Sequence, residues 1–480
     1  MHRALVSGVL ALVLAAAQEN APAPRTVRDD AGHEYTALDG RLSVPESRAR
    51  PDGRRIELAY VRVRSPAPEP GVPIVFLNGG PSQPATPVAD DPGELGQWSE
   101  LLAAADVVLL DQRGTGRSSP SLGLAFDESL PEDFFLDVEV ARRYFADAQR
   151  RGREHFEAQG VDLAAYNVTE SADDVADLRA ALGVPQVDLV GFSFGTVLTT
   201  AVLRRHPEQV RRAVLVGTET AEEWGSLPSL LQTQVRKLAR LAAADPSVNH
   251  AVPDLAELLE RVLAKLEREP MLVEVADRRT GKNVSLPLGR FGLEFLLRID
   301  LGDANDLPLF PALLWTIDQG RTDVVRGLLQ KRYNQLAAGV SAMAGTMRAS
   351  YGPPAWLPAR FGAERETCAL REVVNYFDLD LHAAWGVRPD VSLQAPLVCS
   401  VPTLFVSGTL DSNAPPYQAE KLRYGFLDSA HLVVDWAGHE DLLPDPAVRA
   451  VIARFLAGED VRSARVERAP LRFIGIRKQD

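Results

Sequence analysis

Cysteine, net positive charge and long apolar runs are all scarce in this chain of 480 residues. With only Cys368 and Cys399, at most one disulfide can form, and two separate buried thiols are the alternative. The formal net charge of −13 excludes a nucleic-acid partner, because no basic surface is available to neutralise a phosphate backbone. Beyond residue 17 no apolar run reaches transmembrane length, which excludes an integral membrane span from the mature chain.

The amino-terminal segment has the pattern of an export signal. A short basic start, MHR, precedes an apolar run over residues 4–17, and Ala15–Ala17 followed by Gln18 fits a small-x-small cleavage site. We therefore expect a signal peptide over 1–17 and a secreted or periplasmic protein. An uncleaved membrane anchor is the alternative. Residues 18–45, rich at first in proline, alanine and charge, are expected to form a partly disordered leader.

The rest of the chain has ample apolar material, 46% of all residues, for a large core. Short apolar runs followed by turn residues predict buried strands, and a helix capped by Ser171 and ended by Gly183 lies between two of them. From 220 to 395 the period is mostly helical, and the tail from Val461 to Lys478 resembles an outer strand. The predicted strands lie at 56–63, 73–77, 107–110, 187–190, 213–216, 402–407 and 430–434.

This alternation predicts an α/β fold, a mostly parallel sheet flanked by helices with a large helical cap inserted into it. The core is expected over 46–219 and 396–480, and the cap over 220–395. The last helix is predicted over Pro446–Leu456.

The sequence Gly191-Phe192-Ser193-Phe194-Gly195 stands between a predicted strand and a predicted helix. A serine at such a sharp turn presents its hydroxyl beyond the carboxyl end of the strand. This context predicts that Ser193 is a nucleophile, although a GxSxG pattern alone is weak evidence.

A serine nucleophile needs a histidine base and an acid that orients it. In folds that present a serine this way, the chain order is serine, acid, histidine. Asp411 and His439 each follow a predicted strand at its carboxyl end, so we predict the triad Ser193–Asp411–His439. The alternative orienting acids are Asp435 and Glu440. The other histidines in the carboxyl-terminal part of the chain are His382 and His431.

The oxyanion of a tetrahedral intermediate needs backbone donors. We predict the amide of Phe194 as one donor and that of Gly79 or Gly80 as the other. The alternative for this Asn-Gly-Gly-Pro segment is an ordinary turn. No metal or organic cofactor is implied.

Three motifs resemble the proline iminopeptidase and tripeptidyl aminopeptidase family of α/β-hydrolases. They are the loop Asn78-Gly79-Gly80-Pro81-Ser82, the segment DQRGTGRS at 111–118, and the serine turn continued through Thr196. The resemblance covers roughly residues 50–218 and 395–457. It implies an α/β-hydrolase fold with a helical cap and a serine hydrolase acting on short peptides from the amino end. It also implies that Asp111 and Arg113 brace the loops around the site.

Several features depart from that family pattern. Ser82 replaces the last glycine of the oxyanion loop, and Phe194 replaces a tyrosine or tryptophan, both of which carry a polar group. Glu440 follows the histidine at a position where glycine is common. An aminopeptidase needs carboxylates for the substrate ammonium group. The candidates are Glu219, Glu222 and Glu223. Alternatively, these glutamates cap or solvate the start of a helix.

The sequence is compatible with three functions of the protein. The first is an exported aminopeptidase, and the second is a carboxylesterase or lactonase with the same triad. The third is a non-catalytic binding protein, which the complete triad disfavours. The expected partner is a short peptide or small ester, and the sequence does not decide the oligomeric state.

Overall fold

The computed structural model describes residues 24–126, 128–223, 227–302, 305–371 and 381–477. The expected signal peptide, 1–17, lies outside these residues. Within them, strands are numbered in chain order: β1 Arg25–Arg28, β2 Glu34–Pro45, β3 Arg55–Val63, β4 Ile74–Leu77, β5 Val107–Leu110, β6 Gly123–Leu124, β7 Val187–Phe192, β8 Val210–Val216, β9 Met271–Asp277, β10 Lys282–Leu288, β11 Val340–Ser341, β12 Thr403–Gly408 and β13 Ser429–Val434.

The α-helices of the described part fall between these strands and after them. They are Pro92–Gly96, Ser99–Leu102, Val138–Ala158, Val168–Ala181, Phe194–Arg205, Pro228–Ala244, Leu255–Arg268, Arg290–Asp300, Phe310–Asp318, Asp323–Ala337, Ala342–Tyr351, Leu357–Arg365, Leu381–Trp385, Pro416–Arg423 and Pro446–Leu456.

Nine strands form one sheet in the order β1-β2-β3-β5-β4-β7-β8-β12-β13. The pairs from β5 to β13 are parallel, whereas β1, β2 and β3 add to the edge in antiparallel fashion. The central strands β4 and β5 are buried at every position, as expected for strands covered by helices on both faces. The fold class predicted from the sequence, an α/β sheet flanked by helices, is therefore confirmed.

Apolar side chains form three clusters. Two lie on the opposite faces of the sheet, and one of these contains Leu77 and Phe194 whereas the other contains Phe76 and Val190. The third fills the region between β8 and β12 and contains Leu263. Phe134 and Phe135 belong to this third cluster although they precede β7, so two separate stretches of the chain build it.

Some local predictions are wrong. Residues 25–28 and 34–45, expected in a partly disordered leader, form β1 and β2, because alternate side chains such as Tyr35 and Ala37 are buried. The helix expected from Ser171 begins at Val168. Asn167 is its cap and accepts a hydrogen bond from Glu170 N, whereas Ser171 is buried inside the helix.

The region 220–395 is helical over most of its described length, but it also contains the hairpin of β9 and β10. The side chains of β9 alternate between exposed and buried, as in a strand with one face covered. In the tail, residues 461–477 form no strand. Their backbone follows the surface, with Phe473 and Ile476 buried against the third cluster.

Both cysteines are buried and free, so the disulfide alternative is not realised. Burial raises the pKa of both Cys368 and Cys399, as expected for thiols within apolar surroundings. Among the described residues, no helix has the length and apolarity needed to cross a bilayer.

Candidate active site

Ser193 lies between β7 and the helix Phe194–Arg205, with a φ of 54° and a ψ of −125°. Positive φ at a serine is strained, and such strain persists only where the surrounding structure enforces it. Here the Ser193 N–H donates to Val216 O on β8 at 2.9 Å, which holds the turn against the neighbouring strand.

The two glycines of the turn are required by close packing. A Cβ on Gly195 would lie 1.9 Å from Leu77 O, and a Cβ on Gly191 would lie 2.3 Å from Thr199 Oγ1. Any side chain at either position would separate the helix from β4 or β7. The GxSxG pattern therefore has a steric cause in this fold.

His439 and Asp411 are brought together as the sequence predicts. His439 Nδ1 and Asp411 Oδ2 lie 2.7 Å apart, and both side chains are buried. The other carboxylate oxygen of Asp411 accepts the amides of Asn413 and Ala414, which fixes its orientation. The acid therefore follows β12 and the histidine follows β13, each at the carboxyl end of its strand.

The imidazole of His439 is held on two sides. Its ring centroid lies 5.0 Å from that of Phe192, and a Cβ on Gly217 would approach its Cε1 to 2.7 Å. Phe192 precedes Ser193 in the chain, and Val216, which precedes Gly217, accepts a hydrogen bond from the Ser193 N–H. The two contacts of the imidazole therefore place His439 beside the serine turn.

The protonation of His439 depends on the acids around it. Burial by itself would lower the pKa of His439, but the charge of Asp411 and its hydrogen bond outweigh burial, and the charges of Glu440 and Glu219 add to them. The pKa rises to about 9. The acids around the imidazole therefore favour its charged form, and removal of one of them would lower this pKa.

Glu219 contacts the nucleophile directly. Ser193 Oγ donates to Glu219 Oε1 at 3.2 Å, and the Glu219 N–H donates to Thr196 Oγ1 at 2.8 Å. Thr196 thus ties the segment after β8 to the serine turn. In this arrangement the hydroxyl donates to a carboxylate, so proton transfer to His439 would first require the hydroxyl to turn toward the imidazole.

Of the other two glutamate candidates, Glu222 has a different partner. Glu222 forms an ion pair with Lys421, with 3.5 Å between Oε2 and Nζ. The side chain of Glu223 lies outside the described residues, as does that of His382. His431 lies on β13 with its ring nitrogens directed to Glu420 and Ser407, so it belongs to a separate contact.

The loop after β4 lies against the serine. A Cβ on Gly79 would be 2.8 Å from Ser193 Cβ, so only glycine allows this approach. The Gly79 N–H donates to Asn78 Oδ1 at 2.8 Å. This use of the Gly79 amide favours Gly80, with its φ of 111°, as the partner of Phe194 in an oxyanion hole.

Two neighbouring residues of the DQRG segment hold this loop. Asp111 Oδ1 accepts the amides of Ala85 and Thr86, and its Oδ2 accepts the hydroxyl of Thr86. Gln112 Nε2 donates to Asn78 O at 3.0 Å, a contact that the sequence argument missed.

Arg113 acts elsewhere. It is fully buried, forms a two-point contact with Asp174 at 2.7 Å, and donates to the carbonyls of Glu46 and Ala165. Arg113 therefore anchors the helix Val168–Ala181 to the end of β2, whereas Asp111 and Gln112 support the loop at the site.

The region between β8 and β12 also reaches the site loops, which no sequence motif indicated. Gln234 Nε2 donates to Leu410 O at 2.6 Å, and Lys237 Nζ donates to Thr409 O at 2.8 Å, so one helix holds the loop that carries Asp411. The His439 N–H donates to Gly302 O at 3.1 Å. Arg348 donates to Gly80 O at 3.2 Å.

These contacts bring the candidate nucleophile, base, acid and oxyanion donors to one edge of the sheet. The described residues contain no group of three or more His, Cys, Asp or Glu side chains that could hold a metal ion. The arrangement suits acyl transfer through a covalent serine intermediate.

Comparison with known families agrees with this geometry. The family model described as the alpha/beta hydrolase fold matches residues 72–446. The chain therefore belongs to the α/β-hydrolase family.

Among curated relatives, the chain is similar to serine protease Hip1 of Mycobacterium tuberculosis, with 29% identity over 194 residues, 38% of this chain and 36% of that protein. It is also similar to tripeptidyl aminopeptidase of Streptomyces lividans, with 29% identity over 187 residues, 37% of this chain and 34% of the relative. The match thus spans about a third of the length of these relatives.

A solved structure of a proline iminopeptidase-related protein from Thermus thermophilus aligns over 87% of this chain and 98% of its own, with 16% identity and a TM-score of 0.35.

Proposed function

We propose that this protein is an aminopeptidase that releases single residues from the amino end of short peptides. The observation that carries the proposal is the contact of Glu219 with the nucleophile, 3.2 Å from Oε1 to Ser193 Oγ. Because this carboxylate lies beside Ser193 Oγ, the substrate ammonium group that it binds must lie next to the carbonyl under attack.

Substrate geometry explains why this favours single residues. In an aminoacyl substrate the ammonium nitrogen lies about 2.5 Å from the carbonyl carbon, since two bonds separate them. A carbonyl carbon in position for attack lies about 3–3.5 Å from Oγ. One carboxylate next to Oγ can therefore reach the ammonium group of the residue that is released. A tripeptidyl substrate would carry its ammonium group about 7 Å further away.

The chemical steps follow from the triad. His439 removes the proton of Ser193, whose Oγ attacks the carbonyl carbon, while the amides of Gly80 and Phe194 stabilise the oxyanion. The imidazolium, paired with Asp411, then donates its proton to the leaving nitrogen as the C–N bond breaks. Water attacks the acyl-enzyme with the same base and regenerates the serine.

Glu219 also links substrate charge to the base. An ammonium group bound to Glu219 offsets one of the negative charges that raise the pKa of His439. It also competes with Ser193 for the same carboxylate oxygen. Substrate binding would thereby release the hydroxyl to the base and make the base neutral at lower pH.

The deciding experiment compares four substrates with the mature protein. They are a single-residue anilide with a free amine, its N-acetyl derivative, a tripeptidyl anilide and a short acyl ester. We expect the free single-residue anilide to have the highest kcat/KM, by about 100-fold over the acetylated form, since a charged hydrogen bond is lost. Release of intact tripeptides would contradict the role of Glu219. Ester cleavage alone would favour the carboxylesterase or lactonase alternative.

We also propose that the protein is exported. The support is the basic start and the apolar run over residues 4–17, with the small-residue site before Gln18. Expression of the whole chain followed by amino-terminal sequencing of the extracellular or periplasmic fraction tests this. A mature chain that begins near Gln18 is expected, whereas an intact chain in the membrane fraction would indicate an uncleaved anchor.

A further inference from the structure

A cavity of about 310 Å³ lies beside the active site and contains none of the triad residues. Its walls come from the helices Val138–Ala158, Arg290–Asp300, Asp323–Ala337 and Ala342–Tyr351, closed by Trp385. Much of the lining is aromatic or aliphatic, including Tyr144, Phe145, Phe295 and Leu336. Such a lining suits a ligand with an apolar body.

The charged side chains among the described lining residues are two arginines, and the acid paired with Arg332, Asp300, has a buried Oδ2 without a donor among the described residues. Arg332 Nε and Trp385 Nε1 are buried, and neither has an acceptor within the described residues. The side chain of Arg332 is only 9% exposed, and its other nitrogens already donate to Gln335 and Asp300. No aspartate or glutamate occurs among the described lining residues.

Buried donors without acceptors are uncommon in folded proteins, because each loses its hydrogen bonds to water. The indole nitrogen of Trp385 lies against Gly345, where a Cβ would approach it to 2.0 Å, so a glycine makes room for the ring at the cavity wall. The residues that carry these two donors, Arg332 and Trp385, line one largely apolar space together with Arg348. The complementary ligand group is an anionic acceptor.

Arg348 also connects this cavity to the reaction centre. It lines the cavity and donates to Gly80 O in the loop beside Ser193. A ligand in the cavity would therefore lie next to the oxyanion loop.

We propose that this cavity is a binding site for a carboxylate carried on an apolar or aromatic body. That chemistry is shared by the carboxyl-terminal residue of a short peptide and by a free carboxylic acid. Binding of a free acid does not depend on the proposed aminopeptidase function, whereas recognition of a peptide carboxyl end rests on it.

The binding test uses the full chain as the Ser193→Ala variant, with 3-phenylpropionate and its amide as probes in calorimetry. We expect the acid to bind about tenfold or more tightly than the amide, because a charged acceptor strengthens each hydrogen bond. Trp385→Phe removes the indole N–H and should weaken acid binding roughly three- to tenfold. Trp356→Phe, at a partly exposed tryptophan outside the lining, is the matched control.

A second variant keeps the test decisive if Trp385→Phe does not fold. Ala344 lines the cavity, so Ala344→Leu should fill it and abolish binding of the acid. Equal affinity for acid and amide, or no measurable affinity for either, would overturn the proposal. So would unchanged binding in Ala344→Leu.

The source of the carboxylate is decided with the active enzyme. If peptides occupy the cavity, a dipeptide with a free carboxyl end should have a kcat/KM about tenfold above that of its amide, and Ala344→Leu should remove the difference. If only free acids bind, the two peptides should be cleaved equally while 3-phenylpropionate still binds. Failure to cleave any peptide while the acid binds would reject the aminopeptidase and leave the carboxylate site intact.

Discussion

The sheet core and the region between β8 and β12 contribute to the site in different ways. The core supplies the candidate reacting groups, because Ser193, Asp411 and His439 follow β7, β12 and β13. The other region supplies side chains that hold loops, such as Gln234 on Leu410 O and Arg348 on Gly80 O. The strands of the sheet thus position the candidate reacting groups. Side-chain hydrogen bonds from the region between β8 and β12, called the cap below, hold the loops around these groups.

The packing of the two regions reflects this division. The sheet is covered by one apolar cluster on each face, whereas the cap has its own cluster, to which Phe134 and Phe135 contribute from before β7. A separately packed cap can vary in sequence without moving the strands. The comparison teaches that the sheet carries the candidate reacting groups while the other region, although packed separately, still supports the loops that hold them.

The largest effect is expected from Ser193→Ala. Loss of the nucleophile should lower kcat by at least about 10⁴-fold with little change in thermal stability, since the hydrogen bond that the hydroxyl donates to Glu219 is partly exposed and contributes little to folding. Hydrolysis of the best substrate and a thermal melt measure the two quantities. Ser65→Ala, outside the site, is the control, and retained activity in Ser193→Ala would reject the triad.

Two glycines with similar backbone angles compare the regions directly. Gly217 in the core has a φ of 59°, and Gly281 in the cap hairpin has a φ of 69°. A Cβ on Gly217 would meet His439 at 2.7 Å, whereas nothing lies within 4 Å of one on Gly281.

Gly217→Ala should therefore lower kcat by about 100-fold, because the base is displaced. Gly281→Ala should show only the backbone cost, about 1–2 kcal/mol of stability, with kcat unchanged. Kinetics and denaturant melts of both variants measure this. A similar loss of kcat in the two variants would mean that cap strain reaches the base.

Glu219→Gln tests the charge beside the nucleophile. We expect kcat/KM for free-amine substrates to fall about 10- to 100-fold, with little change for acetylated ones. The pKa of His439, about 9, should also fall, because one of the negative charges that raise it is removed. The acidic limb of the kcat/KM profile should thus move to lower pH.

Glu222→Gln is the matched control, since Glu222 pairs with Lys421 whereas Glu219 contacts Ser193. An unshifted pH limb in Glu219→Gln would show that Asp411 and Glu440 alone set the charge of the base. Equal loss in both variants would indicate a general effect of negative charge.

The smallest effect is expected from Gln234→Leu in the cap. It leaves the carbonyls of Leu301 and Leu410 without this donor and loosens the loop that carries Asp411. We expect kcat to fall about tenfold while KM changes little. Thr233→Ala on the same helix is the control, and a change confined to KM would place Gln234 in substrate binding instead.

Prediction from the sequence was most successful for buried strands and for the last helix. Runs such as Val107–Leu110 are apolar because both faces of the strand are covered, so composition reveals them. It failed for β1, β2 and the tail, where an edge position or packing against the cap decides the conformation.

The candidate site shows the same division. Ser193, Asp411 and His439 could be found because each stands beside a strand signal or a glycine-rich turn. Gln112, Gln234 and Arg348 could not, since a single amide or guanidinium with a carbonyl partner leaves no local pattern. Glu219 was one of three candidate glutamates, and only the fold distinguished it from Glu222.

The sequence by itself determined the α/β class and the glycines that the serine turn requires, and it identified the candidate serine, acid and histidine in that order along the chain. These follow from local sterics and from the periodicity of buried strands. The tertiary structure alone decided that Glu219 contacts Ser193, that side chains from the region between β8 and β12 hold the Asp411 loop, and that Arg332 and Trp385 line one cavity. Such contacts join residues far apart in the chain, and their energies depend on distances that only the packed fold sets.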